Sequence, residues 1–75
     1  MNGAGVKKRS LVICGHSTSV SLEQAFWDAL KELAARQGLS LAGLVARVDA
    51  ERGEANLSSA LRVFALRSFR KDASL

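Results

Sequence analysis

Residues 17–23 read Ser17-Thr18-Ser19-Val20-Ser21-Leu22-Glu23. The alternation is strict. Thr18, Val20 and Leu22 fall on one side of an extended chain, and Ser17, Ser19 and Ser21 fall on the other. At Glu23 the period changes. Phe26, Leu30, Leu33 and Ala34 share one face of a helix, with Trp27 beside them. Ser21 suits the N-cap of that helix, and Glu23 and Gln24 suit its first turn. A half-buried strand therefore runs directly into an amphipathic helix.

Upstream, Leu11-Val12-Ile13-Cys14 is a short apolar run, and Gly15-His16 separates it from the alternating stretch. Two strand candidates so close together form either a hairpin or one bent ribbon. Residues 1–6 read as a flexible tail. Downstream, Gly38 stops the first helix, with Arg36 in its last turn. Ser40 caps a second helix carrying Leu41, Leu44, Val45 and Val48, and Leu39 is placed to staple onto Leu44. Gly53 ends that helix. Asn56 caps a third, whose apolar stripe is Leu57, Ala60, Leu61, Phe64 and Ala65, widened by Leu66 and Phe69. There is no proline to interrupt any of the three. The expected order is strand, strand, helix, helix, helix in one domain.

A chain of 75 residues buries only about 60% of its surface on folding. Chains of this size usually need a disulfide, a metal or a partner. One cysteine allows no internal disulfide, and Cys14 with the single histidine, His16, supplies too few ligands for a zinc site within one chain. Two copies could bring Cys14 and His16 together, but a hydrogen bond for His16 and a buried thiol for Cys14 are the simpler roles. No metal and no cofactor are expected. A partner chain is the favoured remedy. No apolar run approaches the length of a membrane span, and the expected compartment is the cytoplasm.

The net charge is +4. Lys7, Lys8 and Arg9 make residues 1–22 basic. Residues 23–54 carry four basic and six acidic groups. Arg62, Arg67, Arg70 and Lys71 outweigh Asp72 beyond that. Basic ends around an acidic middle fit nucleic acid better than a small acidic substrate. Nothing favours an enzyme. Asp28 and Glu32 share a helix face at a spacing where exposed carboxylates merely repel, and a Cys14–His16 nucleophile lacks an orienting acid. Arg47 is spaced to pair with Glu51, and Arg62 to reach the terminus of a neighbouring helix.

Ser19-Val20-Ser21-Leu22-Glu23 leading into a helix, the Gly38-Leu39-Ser40 turn and the second amphipathic helix resemble the ribbon-helix-helix family over about residues 17–53. Gly15-His16, Thr18-Ser19-Val20, Leu22-Glu23, Phe26-Trp27 and Asn56-Leu57-Ser58-Ser59-Ala60-Leu61-Arg62 resemble a small alphaproteobacterial subgroup of that family. The resemblance implies an intertwined homodimer, mainly α with a short β-ribbon, here with an additional N-terminal strand and a third C-terminal helix. It implies a DNA-binding transcriptional regulator of the repressor type, its paired strands in the major groove. Ser17, Ser19 and Ser21 would then face base edges. Lys7, Lys8 and Arg9 would meet phosphates, as would the start of the second helix at Ser40, Leu41 and Ala42. Val20, Leu22, Phe26, Trp27, Leu30, Leu33, Leu44, Val45 and Val48 would form the dimer core. Leu57, Leu61, Phe64 and Phe69 would form an interface for a higher oligomer. The alternative is an oligomeric scaffold or protein-interaction module with weak or no sequence-specific DNA binding. It is raised by a strand face of serines alone, since a hydroxyl both donates and accepts and discriminates bases weakly.

Overall fold

The computed structural model describes residues 5–73, with side chains to residue 71. The chain runs β1 (Val6–Ile13), β2 (His16–Glu23), α1 (Gln24–Arg36), α2 (Leu41–Glu51) and α3 (Leu57–Ala73). The two strands form one antiparallel hairpin, so the ribbon is made within a single chain. The three helices pack against one face of it. The molecule is mainly α with a short β-ribbon and a third C-terminal helix.

The turn explains the hairpin. Only Cys14 and Gly15 separate the strands, and both have positive φ, 53° and 82°. Two central residues of positive φ are what a type I′ turn requires, and its twist matches that of the flanking strands. This turn sets the register from Ile13 opposite His16 to Val6 opposite Glu23. The apolar run thus ends at Ile13. Cys14 is exposed rather than a buried small hydrophobe, because the turn consumes its position. The first strand extends back through Lys7-Lys8-Arg9 to Val6. Of the tail expected over residues 1–6, residues 1–4 lie outside the described residues, and Val6 belongs to β1.

Opposite residues of an antiparallel pair share a face. One face of the hairpin therefore carries Lys7, Arg9, Leu11, Ile13, His16, Thr18, Val20 and Leu22. Ile13, Val20 and Leu22 are buried from it against Trp27, Leu30, Leu33 and Ala34 of α1, Leu44, Val45 and Val48 of α2, and Leu61 and Ala65 of α3. Trp27 is fully buried. Its indole N–H donates to the Lys7 carbonyl at 3.0 Å, which ties α1 to β1 and gives the buried donor a partner. The Arg9 guanidinium lies over the same ring, 5.5 Å from its centroid.

The side chains expected at a dimer core find neighbours within the single chain. Val20, Leu22, Trp27, Leu30, Leu33, Leu44, Val45 and Val48 are buried by the chain itself, and Phe26 is half-buried. β1 supplies the missing strand and α3 the missing helix. Leu61, expected at a higher-order interface, is 0% exposed, and Leu57, Phe64 and Phe69 pack against the core. The large apolar side chains that α3 leaves exposed are Val63 and Leu66.

The helix boundaries follow local chemistry. Gly38, at φ 69°, closes α1. The Leu39 N–H returns to the Ala34 carbonyl at 2.9 Å and the Gly38 N–H to that of Ala35 at 3.2 Å, the paired bonds of a Schellman motif. The Ser40 hydroxyl accepts the Gly43 N–H at 2.9 Å, and the Asn56 carbonyl oxygen accepts the Ser59 N–H at 3.2 Å; both act as the caps expected of them. α1 differs. Its N-cap is Glu23 rather than Ser21, because β2 persists through Glu23. Arg47 donates to the Gln37 side chain at 2.7 Å instead of pairing with Glu51.

Candidate nucleic-acid interface

The hairpin face turned away from the helices carries Val6, Lys8, Ser10 and Val12 on β1, and Ser17, Ser19, Ser21 and Glu23 on β2. Ser17 and Ser19 are exposed and Ser21 is half-buried. The structure brings the three serines together on one surface and adds four residues from β1. Ser10 stands directly opposite Ser19, and Lys8 opposite Ser21. Val12 and Val6 are 67% and 54% exposed on the same surface. The chemistry offered is a patch of hydroxyls that donate or accept, one ammonium, two branched apolar groups and, at one end, the Glu23 carboxylate paired with Arg62.

The basic run Lys7-Lys8-Arg9 is divided by the pleat. Lys8 projects with the serines. Lys7 and Arg9 take the parity of the core face, and Arg9 rests on Trp27. All three are exposed, so Lys7 and Arg9 flank the ribbon rather than stud its open surface. Ser10, Val6 and Val12 were missed as site residues because the basic run conceals the strand. The signal was the two-residue turn, which once placed at Cys14-Gly15 dictates every pair.

At one end of the ribbon, Glu23 is held by α3. Its carboxylate accepts from Arg62 through Nε at 3.0 Å and Nη2 at 3.4 Å, and the same guanidinium sits 5.9 Å from the Phe26 ring centroid. Arg62 thus reaches a neighbouring helix terminus, that of α1. The Glu23 carboxyl is held below the usual carboxylate range, first by a hydrogen bond from its own backbone N–H and next by Arg62.

The start of α2 is a separate place. Ser40 is exposed but its hydroxyl already caps the helix, while Leu41 and Ala42 are half-buried. α1 has 13 residues, so its far end, where α2 begins, lies about 20 Å along the helix from the end of β2. At the turn, Cys14 and His16 edge a polar cleft with Asp49, Arg52 and Asn56. Arg52 is already bonded to the Asp49 carboxylate. Among the described residues no three His, Cys, Asp or Glu side chains gather to hold a metal, and no helix is long and apolar enough to cross a membrane.

A strand hairpin presenting one open polar face, followed by a tight helix–turn–helix, defines a class. The chain belongs to the ribbon-helix-helix domain family, whose model matches residues 6–69. That family includes DNA-binding transcription regulators, and its domains typically dimerise and bind DNA. Among solved structures, an uncharacterised protein from Bordetella pertussis Tohama I is similar to it at 46% identity and a TM-score of 0.80, over 95% of this chain. The chain spans 61% of the length of that protein. Comparison with curated proteins returns no match.

Proposed function

We propose that the chain is a cytoplasmic DNA-binding transcriptional regulator of the repressor type, and that the open face of its hairpin enters the major groove. One observation carries the reading. The face that the helices leave uncovered bears Lys8, Ser10, Ser17, Ser19 and Ser21 on a two-stranded ribbon, the width a major groove of about 12 Å admits. The serines touch base edges, Val6 and Val12 lie against thymine methyl groups, and Lys8 meets a phosphate. Lys7 and Arg9 add sequence-independent attraction from the flanks. The N–H groups at Leu41 and Ala42, behind the Ser40 cap, hold a phosphate at the start of α2. The working unit is a homodimer in which each copy brings a complete ribbon to its own half-site, about one helical turn from the other.

The alternative, an oligomeric scaffold or protein-interaction module, draws on the same face. Two exposed valines among serines make a surface that a protein partner can cover, and serine hydroxyls supply little base discrimination.

A salt series of fluorescence-anisotropy titrations separates the two readings. A regulator binds a selected duplex more tightly than a random pool at every salt concentration. Lys8→Ala weakens binding to all duplexes alike and lowers the salt slope by about 1, whereas Ser19→Ala changes the ranking of duplexes. Equal affinity for selected and random duplexes throughout leaves only the scaffold reading.

A further inference from the structure

A second surface lies where α3 passes the end of α2. Val48, Glu51, Arg52 and Ala55 form one wall, and α3 from Ser59 to Lys71 forms the other. The groove holds about 530 Å³, and among the described residues none from the strands of the hairpin lines it. Val48, Ala60, Val63 and Phe64 make its apolar floor. Val63 is 45% exposed, and Leu66, three residues further along α3, is 56% exposed. Residues three apart on a helix are neighbours, so the two form one apolar spot near the middle of the α3 wall. From Ser59 to Lys71 that wall is about 18 Å long, roughly three turns of a helix.

The charges along the groove are sorted by end. Glu51, and Glu54 in the loop after it, are exposed where α2 gives way to α3. Arg67 and Lys71 stand at the far end, one turn apart. Among the described residues none of these four makes an ion pair, whereas Arg52 is occupied by Asp49. The surface is acidic at one end, apolar in the middle and basic at the other. Two copies laid parallel set like charges together. Laid antiparallel, each Glu51 end meets the Arg67–Lys71 end of the other copy, and Val63 and Leu66 pack across the middle. A two-fold axis achieves this with one surface, because in such an interface residue i meets j and j meets i.

No other face serves a second copy as well. Among the described residues the remaining exposed large hydrophobics are Val6 and Val12. They flank Lys8 on the open hairpin face, so a dimer through them covers the surface proposed to enter DNA and sets cation near cation. Nucleic acid in the groove would satisfy Arg67 and Lys71, but it would repel Glu51 and leave the valine and phenylalanine floor uncovered.

We infer that the α2–α3 groove is a self-interface. A second copy of this chain packs antiparallel against it, with two Glu51-to-Arg67/Lys71 contacts around a centre of Val63 and Leu66. The inference rests on the homodimer of the proposed function and locates its interface. The pairing forms without DNA and leaves the open hairpin face of each copy free.

The test is sedimentation equilibrium of the full chain without DNA at about 100 μM, well above a micromolar Kd. The parent should sediment as two chains. Val63→Asp should sediment as one, and Lys31→Glu, on the exposed side of α1, should stay at two. Charge reversal is more specific. Glu51→Lys alone, and Arg67→Glu with Lys71→Glu in one chain, each set like charge on like and should weaken association about tenfold or more. An equimolar mixture of the two restores opposite charges at both contacts and should recover the parent's Kd. That recovery is read whether or not Val63→Asp folds. Three results overturn the inference: a one-chain mass for the parent, which leaves the groove to some other occupant; a two-chain mass that Val63→Asp and both charge reversals leave unchanged; or a mixture that associates no better than its components. A two-chain parent that binds no duplex refutes the DNA reading and leaves this interface standing. A one-chain parent that still ranks duplexes does the reverse.

Discussion

The two faces of the hairpin come from the same sixteen strand residues and do different work. The inner face is read by packing. Ile13, Leu22 and Val20 are buried, Leu11 packs against them, and Trp27 bonds back to the strand. Apart from Glu23, which Arg62 holds at one end, the open face carries no side-chain hydrogen bond to the helices among the described residues. Serines, valines and one lysine stand on a scaffold that the other face holds rigid. The lesson is that net charge is a poor locator of a site. Three consecutive basic residues enter β1, yet the pleat sends only Lys8 to the open surface and puts Arg9 over an indole.

Breaking the inner face has the largest expected effect. Leu22→Ala empties a fully buried position and should cost about 2–5 kcal/mol by chemical denaturation. A cost below 1 kcal/mol contradicts the packing described. Next is the turn that keeps the two faces apart. Gly15 has φ +82° with open space where a Cβ would go. Gly15→Ala should therefore cost about 1–2 kcal/mol through backbone strain alone, and Cys14→Asn, a side chain that tolerates φ > 0, should raise the melting temperature.

The open face should behave oppositely. Ser17→Ala and Ser19→Ala should leave stability within about 0.5 kcal/mol while altering duplex preference, and a large loss of stability would show that this surface is covered. The smallest effect belongs to the pin between ribbon and α3. Because the folded Glu23 carboxyl titrates below its unfolded value, its contribution is present above the ordinary carboxylate range and is lost as pH falls through the folded value. Glu23→Gln should flatten that acid limb of a melting-temperature profile. Arg62→Met should flatten only part of it, since the Glu23 backbone N–H also holds the carboxylate ionised.

Much of this was legible in the residues. The period change at Glu23, the caps at Ser40 and Asn56 and the stop at Gly38 are local signals, and the structure obeys them. The expectation failed where the decisive information is a relation between segments. Val6 to Ser10 does not look like a strand until the Cys14-Gly15 turn folds it onto β2. The same turn gives Leu22 neighbours within its own chain, and α3 carries Leu61 into the same cluster. On α3, the stripe Leu57, Leu61, Phe64 and Phe69 was visible, but its destination was not. Those side chains went to the core and left Val63 and Leu66 outside. The open face was half legible, through Ser17, Ser19 and Ser21. Its other half, Lys8, Ser10 and the two valines, depends on register.

The most direct measurement is an amide chemical-shift titration of the labelled chain with a duplex. The largest changes should fall on Lys8, Ser10, Val12, Ser17 and Ser19, with Val63, Arg67 and Lys71 unmoved. Changes concentrated on α3, with the hairpin silent, would contradict the assignment of the open ribbon face as the surface that reads DNA.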